Sequence, residues 1–168
     1  MNVRQLLLTP VLLLVVACQG AATPPPSAPP TTAPAGTPSP TLAGLGGVAA
    51  DLTAAGVTAK AGSAFSTEPI GGEGFALCVG AETVQTYAFI DHEAALAAQA
   101  KIDREDPSTI GTTHVNWTGK PRFWLRDNLI LLYLGEDAAT DAALRTLLGP
   151  PFAEGEAGGM PLAGPPCS

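Results

Sequence analysis

The chain has 168 residues, 46% of them hydrophobic and 14% charged, and eight of its 17 prolines fall between Pro24 and Pro40, which leaves enough for one small domain and not for two. All fifteen acidic residues but only seven of the eight basic ones follow Cys18. That negative balance excludes nucleic acid as a partner, because phosphate binding needs a basic stripe.

At the N-terminus, Arg4 and the terminal amine precede an apolar run from Leu6 to Ala17 that ends in the small-residue exit Val15-Val16-Ala17. The run is shorter than the roughly 20 residues a bilayer span needs, and Thr9-Pro10 interrupt it, so residues 1–17 read as an export signal. Cys18 follows at once. Val15, Val16, Ala17 and Cys18 together resemble the bacterial lipoprotein lipobox, an aliphatic residue, a tolerant position, a small residue and then cysteine. The resemblance implies a diacylglycerol on the Cys18 sulfur, cleavage after Ala17 and acylation of the new amino terminus. It makes the cell-envelope membrane a partner through lipid: each buried methylene contributes about 0.8 kcal/mol, so two or three acyl chains hold where one is marginal. Gln19 stands where some diderm lipoproteins carry an aspartate for inner-membrane retention. The alternative is an uncleaved N-terminal helix in which Cys18 is an ordinary thiol.

Residues 18–40 then form a Pro/Thr/Ala-rich tether with no aromatic or charged residue, a composition that cannot build a core. Polyproline II at about 3.1 Å per residue gives it a reach of at most roughly 70 Å. As a ligand for a proline-recognition domain it lacks a flanking aromatic or basic anchor.

The domain spans residues 41–153. Leu42, Leu45, Ala49 and Leu52 recur at helical spacing, which predicts a helix from Leu42 to Ala55, weakened by Gly46-Gly47 and capped by Gly56. A short strand over Val57–Ala61 and an irregular stretch with Phe65, Pro69 and Gly71-Gly72 come next. Phe75–Val79 and Thr83–Phe89 read as a hairpin around Gly80-Ala81-Glu82. Asp91 is placed to cap a helix from His92 to about Arg104, with Ala95, Leu96, Ala98 and Ile102 on its packing side. Strands follow at Thr112–Trp117, Arg122–Arg126 and Leu129–Leu134, the last two joined by a tight Asp127-Asn128 turn. Leu129 to Leu134 is apolar on both faces, the pattern of a central strand covered on both sides. A final helix is expected over Ala138–Leu148, begun near Asp137, anchored by Leu144, Leu147 and Leu148, and ended by Gly149-Pro150-Pro151. Residues 154–168 are left as a Gly/Pro-rich tail. The order predicts an α+β domain with a largely antiparallel sheet of about five or six strands and about three packing helices.

Several separated motifs occur in order in this domain: Val84-Gln85-Thr86-Tyr87-Ala88-Phe89, Ser108-Thr109-Ile110-Gly111, Trp117 with Pro121 and Phe123, Leu129 to Gly135, and Leu148-Gly149-Pro150-Pro151-Phe152-Ala153. Together they resemble a family of small bacterial lipoproteins without an established activity. Members tend to carry His where Arg122 stands and an acidic residue where Ala88 stands. The resemblance therefore implies that any chemistry at those two positions is lost here.

With Cys18 lipidated, two thiols remain, Cys78 and Cys167, and export to a disulfide-permissive compartment predicts that they pair. The alternative leaves Cys78 buried in a strand and Cys167 as a free thiol. No metal site or cofactor is indicated, because neither His92 nor His114 lies at a ligand spacing from either cysteine. Gly71-Gly72-Glu73-Gly74 lacks the Lys-Ser/Thr of a phosphate loop, and Asp103, Glu105 and Asp106 lack the alternating oxygens of a calcium loop.

The candidate binding patch is Arg122, Trp124 and Arg126. Phe123 and Trp124 face opposite sides of a strand; a Trp124 exposed between the two arginines would form such a patch, although core packing or cover by the Pro-rich tail is the favoured reading of it. No catalytic set is assigned. Ser63, Ser66 and Ser108 lack a nucleophile elbow, His92 sits beside Glu93 in a first helical turn, and His114 lies in a predicted strand two residues before Asn116. Asn116-Trp117-Thr118 is sequon-like but falls in that same predicted strand. The sequence thus favours an exported, anchored, non-catalytic binding or accessory module for an envelope protein or small ligand. A small hydrolase using His114 and a carboxylate is the alternative.

Overall fold

In a computed structural model, residues 40–156 and Cys167 are described, and they form three helices, a six-stranded sheet and a separate two-stranded one. The signal at residues 1–17, the Cys18 lipidation site, the tether up to residue 39 and most of the C-terminal tail lie outside the described residues.

Helix α1 covers Pro40–Ala54, with proline at its first position, where a missing N–H costs no hydrogen bond. Leu45, Val48 and Leu52 are buried, at spacings of three and four that put them on one face. The buried face thus includes Val48, where the sequence pattern pointed to Ala49. At the C-terminal end the Val57 amide donates to Leu52 O and the Gly56 amide to Thr53 O, with Gly56 at φ 88°. A left-handed residue after a helix is glycine's usual place.

Strand β1 runs over Ala59–Phe65, β2 over Glu73–Val79 and β3 over Glu82–Ala88. The expected hairpin is present, Val79 opposite Glu82. β1 is later and longer than predicted. It takes in Phe65, whose ring meets Tyr87 edge-on at 5.4 Å.

Helix α2 covers His92–Gln99 and is capped as expected, Ala94 N donating to Asp91 Oδ1 at 2.8 Å. It ends well before Arg104. Lys101 and Ile102 donate three residues back, and the Asp103 carboxylate accepts from the amides of Glu105 and Asp106, so the side chain takes over the bonds a continuing helix would need. Ala95 and Ala98 face the sheet, whereas Leu96 is exposed. Ile102 is buried beyond the helix and bridges Ile110.

The strand expected at Thr112–Trp117 is replaced by a small hairpin of β4, Thr109–Ile110, and β5, Thr113–His114, outside the main sheet. Trp117 lies beyond it, its indole N–H donating to Pro107 O at 2.9 Å and its ring 5.7 Å from Phe123. Strands β6, Arg122–Arg126, and β7, Leu129–Tyr133, match expectation closely, with Asp127 at φ 52° in the turn between them. Helix α3 covers Ala138–Leu148, and Thr140 N donates to its cap, Asp137. A further strand, β8, Ala153–Glu154, pairs with Arg122 and Phe123. It was not expected, and it brings Glu154 into the domain from what had been assigned to the tail.

The main sheet is antiparallel throughout, in the order β1-β2-β3-β7-β6-β8. β7 is central and all five of its residues are buried. Leu129, Leu131 and Tyr133 join α1 and α3 on one face through Leu45, Val48, Leu52 and Leu144. Ile130 and Leu132 join Ala95 and Ala98 of α2, Ile102, Trp117 and Phe123 on the other. Each such aliphatic side chain contributes roughly 1.5–3 kcal/mol on burial. The α+β expectation holds, with six strands in the sheet and helices on both of its faces.

Candidate functional site

Arg122, Trp124 and Arg126 share one face of β6, as strand alternation requires, but that face is covered by α1 and α3. Trp124 is 1% exposed, and its indole N–H donates to Gly149 O at 2.9 Å at the end of α3. Phe123, on the other face, is equally buried. The candidate patch is therefore not formed: Trp124 packs in the core, the favoured of its readings, because both faces of the sheet are covered at these rings, and Arg126 is half-buried beside it. Arg126 is ion-paired with Asp51 of α1. Arg122, 9% exposed, donates from Nη1 to Gly135 O at 2.8 Å and lies over the Tyr133 ring, 5.3 Å from its centroid.

Arg122 belongs to the densest polar cluster of the described residues. Its Nε is 3.4 Å from Asp141 and 4.0 Å from Glu154. Glu154 also takes Lys120 at 2.7 Å and Arg145 at 3.0 Å, and Arg145 reaches Asp141 one helical turn away at 2.8 Å. The Lys120 hydrogen bond is the largest influence on Glu154 and lowers its pKa, with Arg145 adding to it against the opposing effect of burial. The hydrogen bonds that Arg145 donates to Asp141 and then to Glu154 hold it in its charged form. Asp141 Oδ1 faces Arg122 at ion-pair distance without the alignment of a hydrogen bond. Beside the cluster, Tyr133 donates to Glu82 at 3.2 Å and accepts from Asp137 N at 3.0 Å; burial, ahead of these neighbours, pushes its pKa up to about 12. The cluster supplies ion pairs that fasten α3 and β8 to β6 and to the segment before it. Sequence reasoning missed it. The i, i+4 pair of Asp141 and Arg145 was the only local signal, and β8, which carries Glu154, had none.

The histidines are apart. His92 is exposed at the start of α2, with Nδ1 against Asp127 O. His114 is exposed on β5, opposite Thr109. Among the described residues, no hydrogen bond or ion pair joins His114 to a carboxylate or serine, and no three His, Cys, Asp or Glu side chains converge to hold a metal ion. Ser63 and Ser66 are exposed on and just after β1, and Ser108 is half-buried next to β4. Asn116 is exposed in a loop and not in a strand, while Trp117 beside it is anchored in the core.

Cys78 and Cys167 are disulfide-bonded, with Cα atoms 5.4 Å apart and Thr83 Oγ1 3.1 Å from the Cys167 sulfur. Among the described residues, no helix is long and apolar enough to cross a membrane. Compared with protein-family models, curated proteins and solved structures, the chain matches none of them.

Proposed function

We propose that this chain is an exported lipoprotein, anchored to a cell-envelope membrane through Cys18, whose α+β domain is a non-catalytic binding or accessory module on the extracytoplasmic side. The observation that carries the reading is Cys18 directly after Val15-Val16-Ala17 at the end of an apolar run, with a proline-rich spacer behind it. The Cys78–Cys167 bond supports it independently, since such bonds persist in oxidising compartments. The alternative, a small hydrolase using His114 and a carboxylate, would need His114 to meet such a group, and among the described residues no hydrogen bond joins it to one.

The test is metabolic labelling with a clickable fatty acid, together with membrane fractionation, for the wild type and Cys18→Ser. The wild type should take up label and sediment with membranes; the variant should lose both. Membrane retention of unlabelled Cys18→Ser after detergent-free washing would sink the anchor. Crosslinking in native membranes then identifies the protein the module meets, if its ligand is a protein.

A further inference from the structure

The six-stranded sheet has two edges, and they are finished differently. On one side β8 pairs with Arg122 and Phe123, and the chain around it adds bonds from Phe152 N to Phe123 O and from Gly155 N to Pro121 O. On the other side β1 is the last strand among the described residues, seven residues long, with Lys60, Ala61, Ser63 and Ala64 exposed. An exposed edge of that length is a template on which another chain can add a strand.

Two features of β1 oppose this. Ala61 stands opposite Leu77 but Ala64 opposite Phe75, so Gly62 and Ser63 together face Ala76 and the strand is bulged at its middle. A bulge bends the strand and increases its twist, so an incoming partner finds only short regular pieces on either side. The bulge fits its surroundings: a Cβ at Gly62 would lie 3.1 Å from Ala76 Cβ and 3.2 Å from the disulfide-bonded sulfur of Cys78. Lys60 is the only charged residue of the strand and sits on one of those pieces. Like-charge repulsion is not the main barrier to self-pairing, because an antiparallel match of two copies centred on Gly62 sets Lys60 opposite Ala64. The bulge is the larger obstacle and the lysine the smaller.

We propose that the Gly62-Ser63 bulge, helped by Lys60, is a guard that closes β1 to strand addition, so that two copies of this chain do not join through their sheets. Binding by the module then takes place elsewhere than on this edge.

Deleting Ser63 restores one-to-one register with β2, and Lys60→Val removes the charge. The full-length chain in non-ionic detergent is compared with the doubly altered one by sedimentation equilibrium, with circular dichroism to check the fold. The wild type should keep the monomer mass at every concentration, and the altered chain should rise toward twice that mass. A folded altered chain that stays monomeric overturns the proposal. Should the deletion prevent folding, hydrogen exchange on the wild type decides: β1 amides that are not bonded to β2 should exchange rapidly at all concentrations. Protection of those amides that grows with concentration would show the edge to be open.

Discussion

Replacing Trp124 separates an interior anchor from a surface patch. The ring is 1% exposed, lies in the core that β6 and β7 form with α1 and α3, and its N–H is bonded to Gly149 O. Trp124→Ala removes the largest fully buried side chain of the domain, and large-to-small changes of this kind cost about 3–5 kcal/mol. Trp124→Phe keeps most of the apolar volume but leaves the Gly149 carbonyl without its donor, for a cost of about 1–3 kcal/mol. An exposed tryptophan would cost no more than about 0.5 kcal/mol in either variant. Urea unfolding followed by far-ultraviolet circular dichroism reads the difference, since a small domain has about 5–15 kcal/mol in total. The expected order of midpoints is wild type, then Phe, then Ala. An alanine variant within about 0.5 kcal/mol of the wild type would refute the buried placement.

Three further outcomes are expected. Replacing Cys78 and Cys167 together by alanine opens a loop spanning a sequence separation of 89 and should cost about 4–5 kcal/mol on the chain-entropy argument; an unchanged urea midpoint would count against the bond. Thr86 is fully buried and its hydroxyl has no hydrogen-bond partner, so Thr86→Val should stabilise the domain by about 1 kcal/mol, whereas a clear loss in a thermal melt would reveal a partner for the hydroxyl. Both tyrosines of the chain are held protonated chiefly by burial, Tyr133 up to about 12 and Tyr87 further. Because these pKa values are raised in the folded state, their contribution to stability is complete below the ordinary tyrosine range and is lost as pH climbs through about 12 for Tyr133. Phenolate absorbance should therefore be nearly absent from the folded chain at about pH 10, where unfolded tyrosine is half ionised, and strong absorbance there would contradict the burial.

The parts of the fold legible in the sequence are those with strong local signals. The apolar run of β7, the Asp127-Asn128 turn and the Asp137 cap each named their element within a residue or so. β1, built from Ala, Gly, Ser, one Lys and one Phe, has little strand propensity and exists because β2 offers it a ladder. β8 is two residues long and carries no local signal; it is held by pairing with β6, by burial of Ala153 and by the ion pairs of Glu154. The binding patch failed for a different reason. Alternation correctly put Phe123 and Trp124 on opposite faces, but a period of two says nothing about what covers the second face. The polar cluster stayed hidden because its charges come from β6, α3, β8 and the segment before β6, which only the folded chain brings together.

The pairing of β3 with β7 spans more of the chain than any other in the main sheet. The β2–β3 and β6–β7 hairpins close over short turns, but Val84 to Ala88 must meet Leu129 to Tyr133 across α2 and the β4–β5 hairpin. That seam carries the loop-closure entropy of the whole intervening segment before any of its pairs contributes. Until it zips, both halves carry apolar strands with an unpaired edge. A chain in which this seam is weakened therefore exposes two apolar strand edges at once, the condition that favours aggregation.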